Sequence, residues 1–456
     1  MRLDQCWGTD SELPEDDAPQ CGARHSALVP IVIDTSLITR VLALPVGDGP
    51  PEGGLHGNRA ASAPPLPQAT PTTSEGVTAY VEAYEREYTG WMAVLQRNAE
   101  RLARGQYSLH WLDMAQGHWG RRARPSSRGL TYTDTNNVKG FGEIPERADW
   151  LNFTPRGAVR EPYRAEMPVI DEYTQVDRPG LWADNVITLY EEAKARQWNA
   201  TRDIPWHELA PLPEDLEKAT CQLCTVLTQV EFVAGDFPAK WMYRIPQDFL
   251  EVKSFLATQI MDEARHQEVF RKRAIAGGGL MHAGVGQEWA LKAILESPTH
   301  TMGTFLLNLL GEGLVLSIFR SGEMIAKTHV DKDIFRRCLQ DEARHVSYGV
   351  MEFKYWLDQH PDREQAIAQM HRFADVGELI ILSSFTEPVM VEPIAILLGG
   401  GLDKIDYGME GMAKLWTMAI DEYLQRCERA GFPRRARCRI PLDAPWASSG
   451  AVPATA

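Results

Sequence analysis

The pentapeptide Asp-Glu-Ala-Arg-His occurs twice in this chain, at Asp262–His266 in "FLATQIMDEARHQEVF" and at Asp341–His345 in "RRCLQDEARHVSYGV". Four of its five residues are ionisable, and both copies lie in apolar surroundings. Read as helix, Glu263 and His266 are three apart and share a face with Leu256, Ile260 and Phe270. Glu342 and His345 likewise share a face with Phe335, Leu339 and Val346. Both Glu/His pairs therefore sit on the stripe that should turn inward. A buried carboxylate beside an imidazole is costly unless it is paired or bound to a metal.

Two such pairs facing each other supply two carboxylates and two imidazoles. A di-metal site in a four-helix bundle needs one further Glu from each of two other helices. Glu231 lies 32 residues before Glu263, with Cys224, Leu227 and Ala234 on its face. Glu312 lies 30 residues before Glu342, among Phe305, Leu309, Val315, Leu316 and Phe319. The near-equal intervals are what a duplicated helix pair requires. Other carboxylates fit worse. Glu191 and Glu192 share faces with Asp184, Asn185, Lys194 and Arg196 and should be solvated, and Glu323 is only 19 residues before Glu342.

Four carboxylates and two imidazoles suit iron or manganese, and the donor set holds no thiolate of the kind a structural zinc or iron–sulfur site uses. Metal-bound His usually donates its other N–H to an outer carboxylate. Asp262 and Asp341 each precede a candidate ligand Glu, roughly 100° around the helix from it. Each is expected to accept from the His of the opposite motif, with Arg265 and Arg344 balancing its charge. The competing reading is a pair of buried salt-bridge networks joining helices. Such networks stabilise weakly, which leaves the duplication unexplained.

The rest of the chain sets the frame. Its 456 residues are 44% hydrophobic, enough for a full core, and carry a formal charge of −15. That field disfavours nucleic acid and anionic membranes as partners. Seven scattered cysteines suggest no disulfide framework. The first residues lack a secretory pattern, and "ALVPIVIDTSLITRVLAL" is too short and interrupted to span a bilayer. A cytoplasmic setting is expected. Residues 1–75 read as a flexible Pro/Gly-rich leader and 76–180 as N-terminal helices with an extended connection. Helical periodicity then dominates: 181–360 is expected to hold the bundle, 361–440 further helices, and 441–456 a tail. The helical segments are placed at 181–199, 213–236, 247–275, 285–297, 301–328, 331–358, 363–382 and 405–430. Cys221 and Cys224, spaced C-x-x-C inside a helix, are taken as core residues, and "LLGGGLDK" as a turn. His110, His118, His207, His282 and His371 lack matching partners.

Over about 180–360, Glu231, the two DEARH segments and Glu312 resemble the ligand set of the ferritin-like di-iron carboxylate superfamily. "LATQIMDEARHQEVF" and "LLGEG…QDEARHVSYG" look most like bacterial ferritin-like di-iron oxygenases. More distant likenesses are multicomponent monooxygenase hydroxylases and ribonucleotide reductase small subunits. The resemblance implies an all-α fold with a ferritin-like four-helix core and two iron ions, with manganese compatible at one position. O2 would be the co-substrate, acting on a small-molecule substrate by hydroxylation, N-oxygenation or desaturation. It also implies a ferredoxin or reductase as electron donor and is compatible with a homodimer. Departures narrow it. Phe270 stands where the reductase subunits place a radical-forming Tyr, leaving Tyr348 as the available oxidisable residue. Leu316 stands where monooxygenase hydroxylases have Thr, and Cys338 where arylamine N-oxygenases carry a seventh ligand His. A radical-generating subunit and a non-catalytic helical scaffold are the alternatives.

Overall fold

The computed structural model describes residues 78, 81–82, 96–107, 109–112, 119–158 and 169–447. The expected leader lies outside these, as does His118. Contacts divide the chain into two units, Met1–Ser108 and Leu109–Ala456. In the first, residues 96–103 are helical and Gly105 follows with φ +68°, a left-handed stop suited to glycine.

The second unit is an all-α bundle. Among the described residues no strand is named, only isolated bridges at Ser126–Gly129 and Arg147–Asp177. Its helices are α1 (Tyr132–Asn136), α2 (Val186–Ala195), α3 (Glu214–Met242), α4 (Leu250–Gly277), α5 (Val285–Leu295) and α6 (His300–Thr304). After a π-helical segment, Phe305–Gly311, come α7 (Glu312–Ile325), α8 (His329–Gln359), α9 (Arg363–Phe385), α10 (Pro388–Gly399) and α11 (Ile405–Arg429). Helix α3 packs on α4, α7 packs on α8, and α4 meets α8 between the two pairs. These four form a four-helix core. Helices α5, α9, α10 and α11 cover it.

The ends follow local chemistry. Acidic Glu214, Asp215 and Glu217 occupy the first turn of α3, where the helix dipole favours negative charge. The Thr328 hydroxyl accepts from Asp331 N at 3.0 Å and caps α8. Gly400, at φ +81°, ends α10 in the left-handed conformation that glycine takes without strain. The expected turn at "LLGGGLDK" lies there.

Three elements differ from the sequence reading. Helix α3 runs past 236 and through Pro238 to Met242. Helix α10, which contains Pro393, fills a stretch where no helix was expected. The third is the π turn inside the expected 301–328 helix. Pro393 cannot donate to the Val389 carbonyl, and Gln222 Nε2 donates to that carbonyl instead, at 3.3 Å.

His300–Ile325 is long and apolar enough to cross a membrane by composition, yet 78% of that window is buried inside the bundle. It is a core helix. The described part of the connection expected to be extended, around Asn136 and Arg156, is pinned to the core. Arg156 bonds Glu251 Oε2 at 2.9 Å and Asn136 Oδ1 at 2.9 Å, tying this segment to the first turn of α4.

Gly349 lets α8 approach the π segment, because a Cβ there would run into Asn308. Gly349→Ala is therefore expected to cost about 1–3 kcal/mol through overpacking. Urea unfolding of the metal-free protein would read the loss as a lower midpoint with an unchanged slope.

Candidate metal centre

Each core helix carries part of one buried cluster: α3 supplies Glu231, α4 Glu263 and His266, α7 Glu312, and α8 Glu342 and His345. None of the six is more than 4% exposed. Glu231, Glu263, His266 and Glu342 each offer one ligand atom, all within 4.8 Å of one another. Glu263, Glu312, Glu342 and His345 do the same. The two sets share Glu263 and Glu342. The bundle thus has two adjacent sites, each with its own His and Glu, and two carboxylates common to both.

Both imidazoles point the same way relative to the carboxylates. His266 Nδ1 lies 3.2 Å from Glu342 Oε1, 3.3 Å from Glu263 Oε2 and 3.6 Å from Glu231 Oε2. His345 Nδ1 lies 2.9 Å from Glu263 Oε1, 3.3 Å from Glu342 Oε2 and 3.8 Å from Glu312 Oε1. The opposite nitrogens each face the Asp of the other pentapeptide. His266 Nε2 is 3.3 Å from Asp341 Oδ2, and His345 Nε2 is 3.2 Å from Asp262 Oδ2. Arg344 Nη2 reaches both aspartates, at 2.8 Å to Asp262 and 2.5 Å to Asp341. Arg265 Nη2 bonds Asp262 and lies 3.2 Å from Asp341. Two Asp and two Arg side chains, all nearly inaccessible, close a ring between α4 and α8.

Several partners were not legible in the sequence. Gln259 Nε2 donates to Glu312 Oε1 at 3.2 Å, and Asn308 Nδ2 donates to Glu312 Oε2 at 2.8 Å. Trp198 Nε1 donates to Asp341 Oδ2 at 2.7 Å. Gln197 Oε1 accepts from Arg265 at 2.5 Å. Asn308 sits in the π segment immediately before Glu312, and such turns recur at functional sites.

The other sequence candidates fall elsewhere. Cys221 and Cys224 are buried free thiols. Glu191 pairs with Lys194, and Glu323 with Arg336, at partly exposed positions. His371 is held by buried Arg434 at 3.0 Å. Phe270 packs against Phe319 and Phe335. The Tyr348 hydroxyl donates to Leu181 O at 2.8 Å.

The donor set fits two cations. Glu231 Oε1, both oxygens of Glu263, His266 Nδ1 and Glu342 Oε1 are buried without a hydrogen-bond partner. Leaving such groups unpaired costs several kcal/mol, so the fold implies partners that are not protein atoms. Electrostatics agree. Burial pushes the Glu231 and Glu312 carboxyls well above the usual range, and the neighbouring carboxylates add to it. Burial opposes charge on both imidazoles, but Cys338, Asp341 and Glu231 around His266, and Glu263, Asp262 and Glu342 around His345, outweigh it and hold both well above their ordinary value. Burial also opposes ionisation of Asp341, yet His266, Arg344 and Trp198 keep its carboxyl below the usual range. Burial pushes the Cys338 thiol up to about 12, so it remains protonated.

The class this defines is a helical bundle with a buried carboxylate–imidazole centre for two metal ions. No family model and no curated protein matches the sequence. Among solved structures, a variant of an R2-like ligand-binding oxidase with an aerobically reconstituted Mn/Fe cofactor is 19% identical. The match covers 54% of this chain and 94% of that one, with a TM-score of 0.45. A variant of the same description with an Fe/Fe cofactor gives 20% identity, 54% and 94% coverage, and a TM-score of 0.43.

Metal binding should release protons, because Glu231, Glu312 and both imidazoles hold protons in the metal-free state. Raised folded-state carboxyl pKa values stabilise the metal-free fold below the unfolded value and lose that stabilisation as pH rises. The thermal stabilisation by Fe(II) should therefore grow between about pH 5 and 8. Anaerobic thermal-shift series across that range would show it; a pH-independent shift would contradict it. Asp341→Ala should weaken metal affinity by roughly 10–100-fold while leaving the helical circular dichroism unchanged.

Proposed function

We propose that this protein is an O2-activating di-iron oxidoreductase that acts on a small organic substrate. The observation that carries the reading is the pair of overlapping four-residue clusters sharing Glu263 and Glu342, with unpartnered oxygens facing inward. Glu231, Glu263, His266, Glu312, Glu342 and His345 would hold the metals. When bound, two iron ions would supply electrons to O2 and the oxidising power for the substrate.

The chain's own residues do the positioning. Asp341 and Asp262 accept from the outward imidazole nitrogens, which fixes the tautomer that leaves each Nδ1 free as a ligand. Gln259 and Asn308 hold both oxygens of Glu312. Glu231 has no matching amide donors, and its Oε1 is free to take or give a proton. Beside these acids lies a small pocket, lined by Glu231, Glu312 and Glu342 on one side and by Ala234, Leu291 and Phe385 among its apolar walls. An external donor of the ferredoxin or reductase type would return electrons between turnovers.

Purified protein given Fe(II) without oxygen should bind two irons per chain by colorimetric assay, and air should oxidise both. Glu342→Ala, which removes a carboxylate common to both sites, should bring the content below one. Failure to retain iron in the unaltered protein would overturn the reading, and a tyrosyl-radical signal after air would favour a radical-generating subunit instead.

A further inference from the structure

Arg426, on α11, is only 7% exposed. Its Nε donates to Leu309 O, inside the π segment before α7, at 3.2 Å. Gly313, the residue after Glu312, leaves room for the guanidinium: a Cβ there would lie 2.5 Å from Nη2 and 2.7 Å from Cζ and Nε. Nη2 is buried without a hydrogen-bond partner. Among the described residues no carboxylate pairs with Arg426. Glu422, whose field reaches it, bonds Ser317 and Arg320 instead. Burial lowers the guanidinium to about 10, so it stays charged near neutrality.

A buried cation without a paired carboxylate is destabilising, and an apolar side chain of similar volume would pack there more favourably. The position of the guanidinium shows what offsets this. A π turn is a rare interruption of an α-helix, and this one is confined from several sides. A Cβ on Gly349 of α8 would meet Asn308, and one on Gly377 of α9 would meet Leu306. Those contacts are packing alone. Among the described residues, Arg426 makes the one side-chain hydrogen bond to the backbone of the turn. Relaxation to α geometry would rotate Asn308 about the helix axis, away from its 2.8 Å bond to Glu312 Oε2.

We infer that Arg426 is a positioning residue for the Glu312 half of the metal centre: its bond to Leu309 O holds the π turn, and the turn holds Asn308 on Glu312. The ligand role of Glu312 rests on the proposed function; the clamp on the turn does not.

Anaerobic Fe(II) calorimetry in two single-site backgrounds tests this. His266→Ala leaves the site of Glu312 and His345, and His345→Ala leaves the site of Glu231 and His266. Arg426→Met should weaken Fe(II) binding roughly tenfold in the first background and leave the second unchanged. Asn308→Ala should act likewise, and adding Arg426→Met to it should weaken binding no further. Arg426→Lys, which keeps a charged donor, should restore most of the affinity. Equal losses in both backgrounds, additive losses in the double variant, or no loss would overturn the inference. Hydrogen exchange on the metal-free protein gives an independent reading. Arg426→Met should speed exchange of the Phe305–Gly311 amides, and so should Gly313→Ala, which pushes the guanidinium off the turn. Unchanged exchange would overturn the clamp. Faster exchange in a protein that binds no iron would sink the oxidoreductase reading and leave the clamp standing.

Discussion

Four carboxylates and two imidazoles share one volume that solvent does not reach, and the rest of the bundle is arranged around that fact. Charges of like sign at this spacing cannot all persist in a low-dielectric interior without cations. The ring of Asp262, Arg265, Asp341 and Arg344 makes the arrangement tolerable in the protein itself. It neutralises its own charge and locks α4 to α8. It also presents a carboxylate to the outward face of each imidazole. The pentapeptide is repeated because the task is repeated: each copy supplies an inner Glu and His and an outer Asp and Arg, and each outer acid serves the opposite copy.

The symmetry stops at the two solitary glutamates. Glu312 is gripped by Gln259 and Asn308, while Glu231 keeps an oxygen without a partner. The π segment before α7 produces part of this difference, because it places Asn308 within reach of Glu312. The two halves are therefore unequal in rigidity, and both glutamates border the small pocket.

Much of the core was legible because helix period and spacing leave little freedom. An E-x-x-H pair on an apolar stripe fixes which face turns inward, and near-equal intervals to Glu231 and Glu312 fix the helix pairing. The structure brings all six side chains together. What stayed hidden has identifiable causes. A π turn changes the hydrogen-bond register without changing composition, so "TFLLNLLGEG" reads as ordinary helix. Trp198 looks like core filler until its indole N–H is seen to meet Asp341. Gln259 and Asn308 are polar residues on helices, and only the relative rotation of those helices says whom they meet. Prolines lie at two of the differences: Pro238 is inside α3, beyond the expected end at 236, and Pro388 and Pro393 are in α10, where no helix was expected.

Anomalous diffraction at the iron edge from crystals grown with Fe(II) tests the central claim most directly. The account expects two peaks, both flanked by the Glu263 and Glu342 carboxylates, one beside His266 and Glu231 and the other beside His345 and Glu312. A single peak, no peak, or peaks away from those shared carboxylates would contradict it.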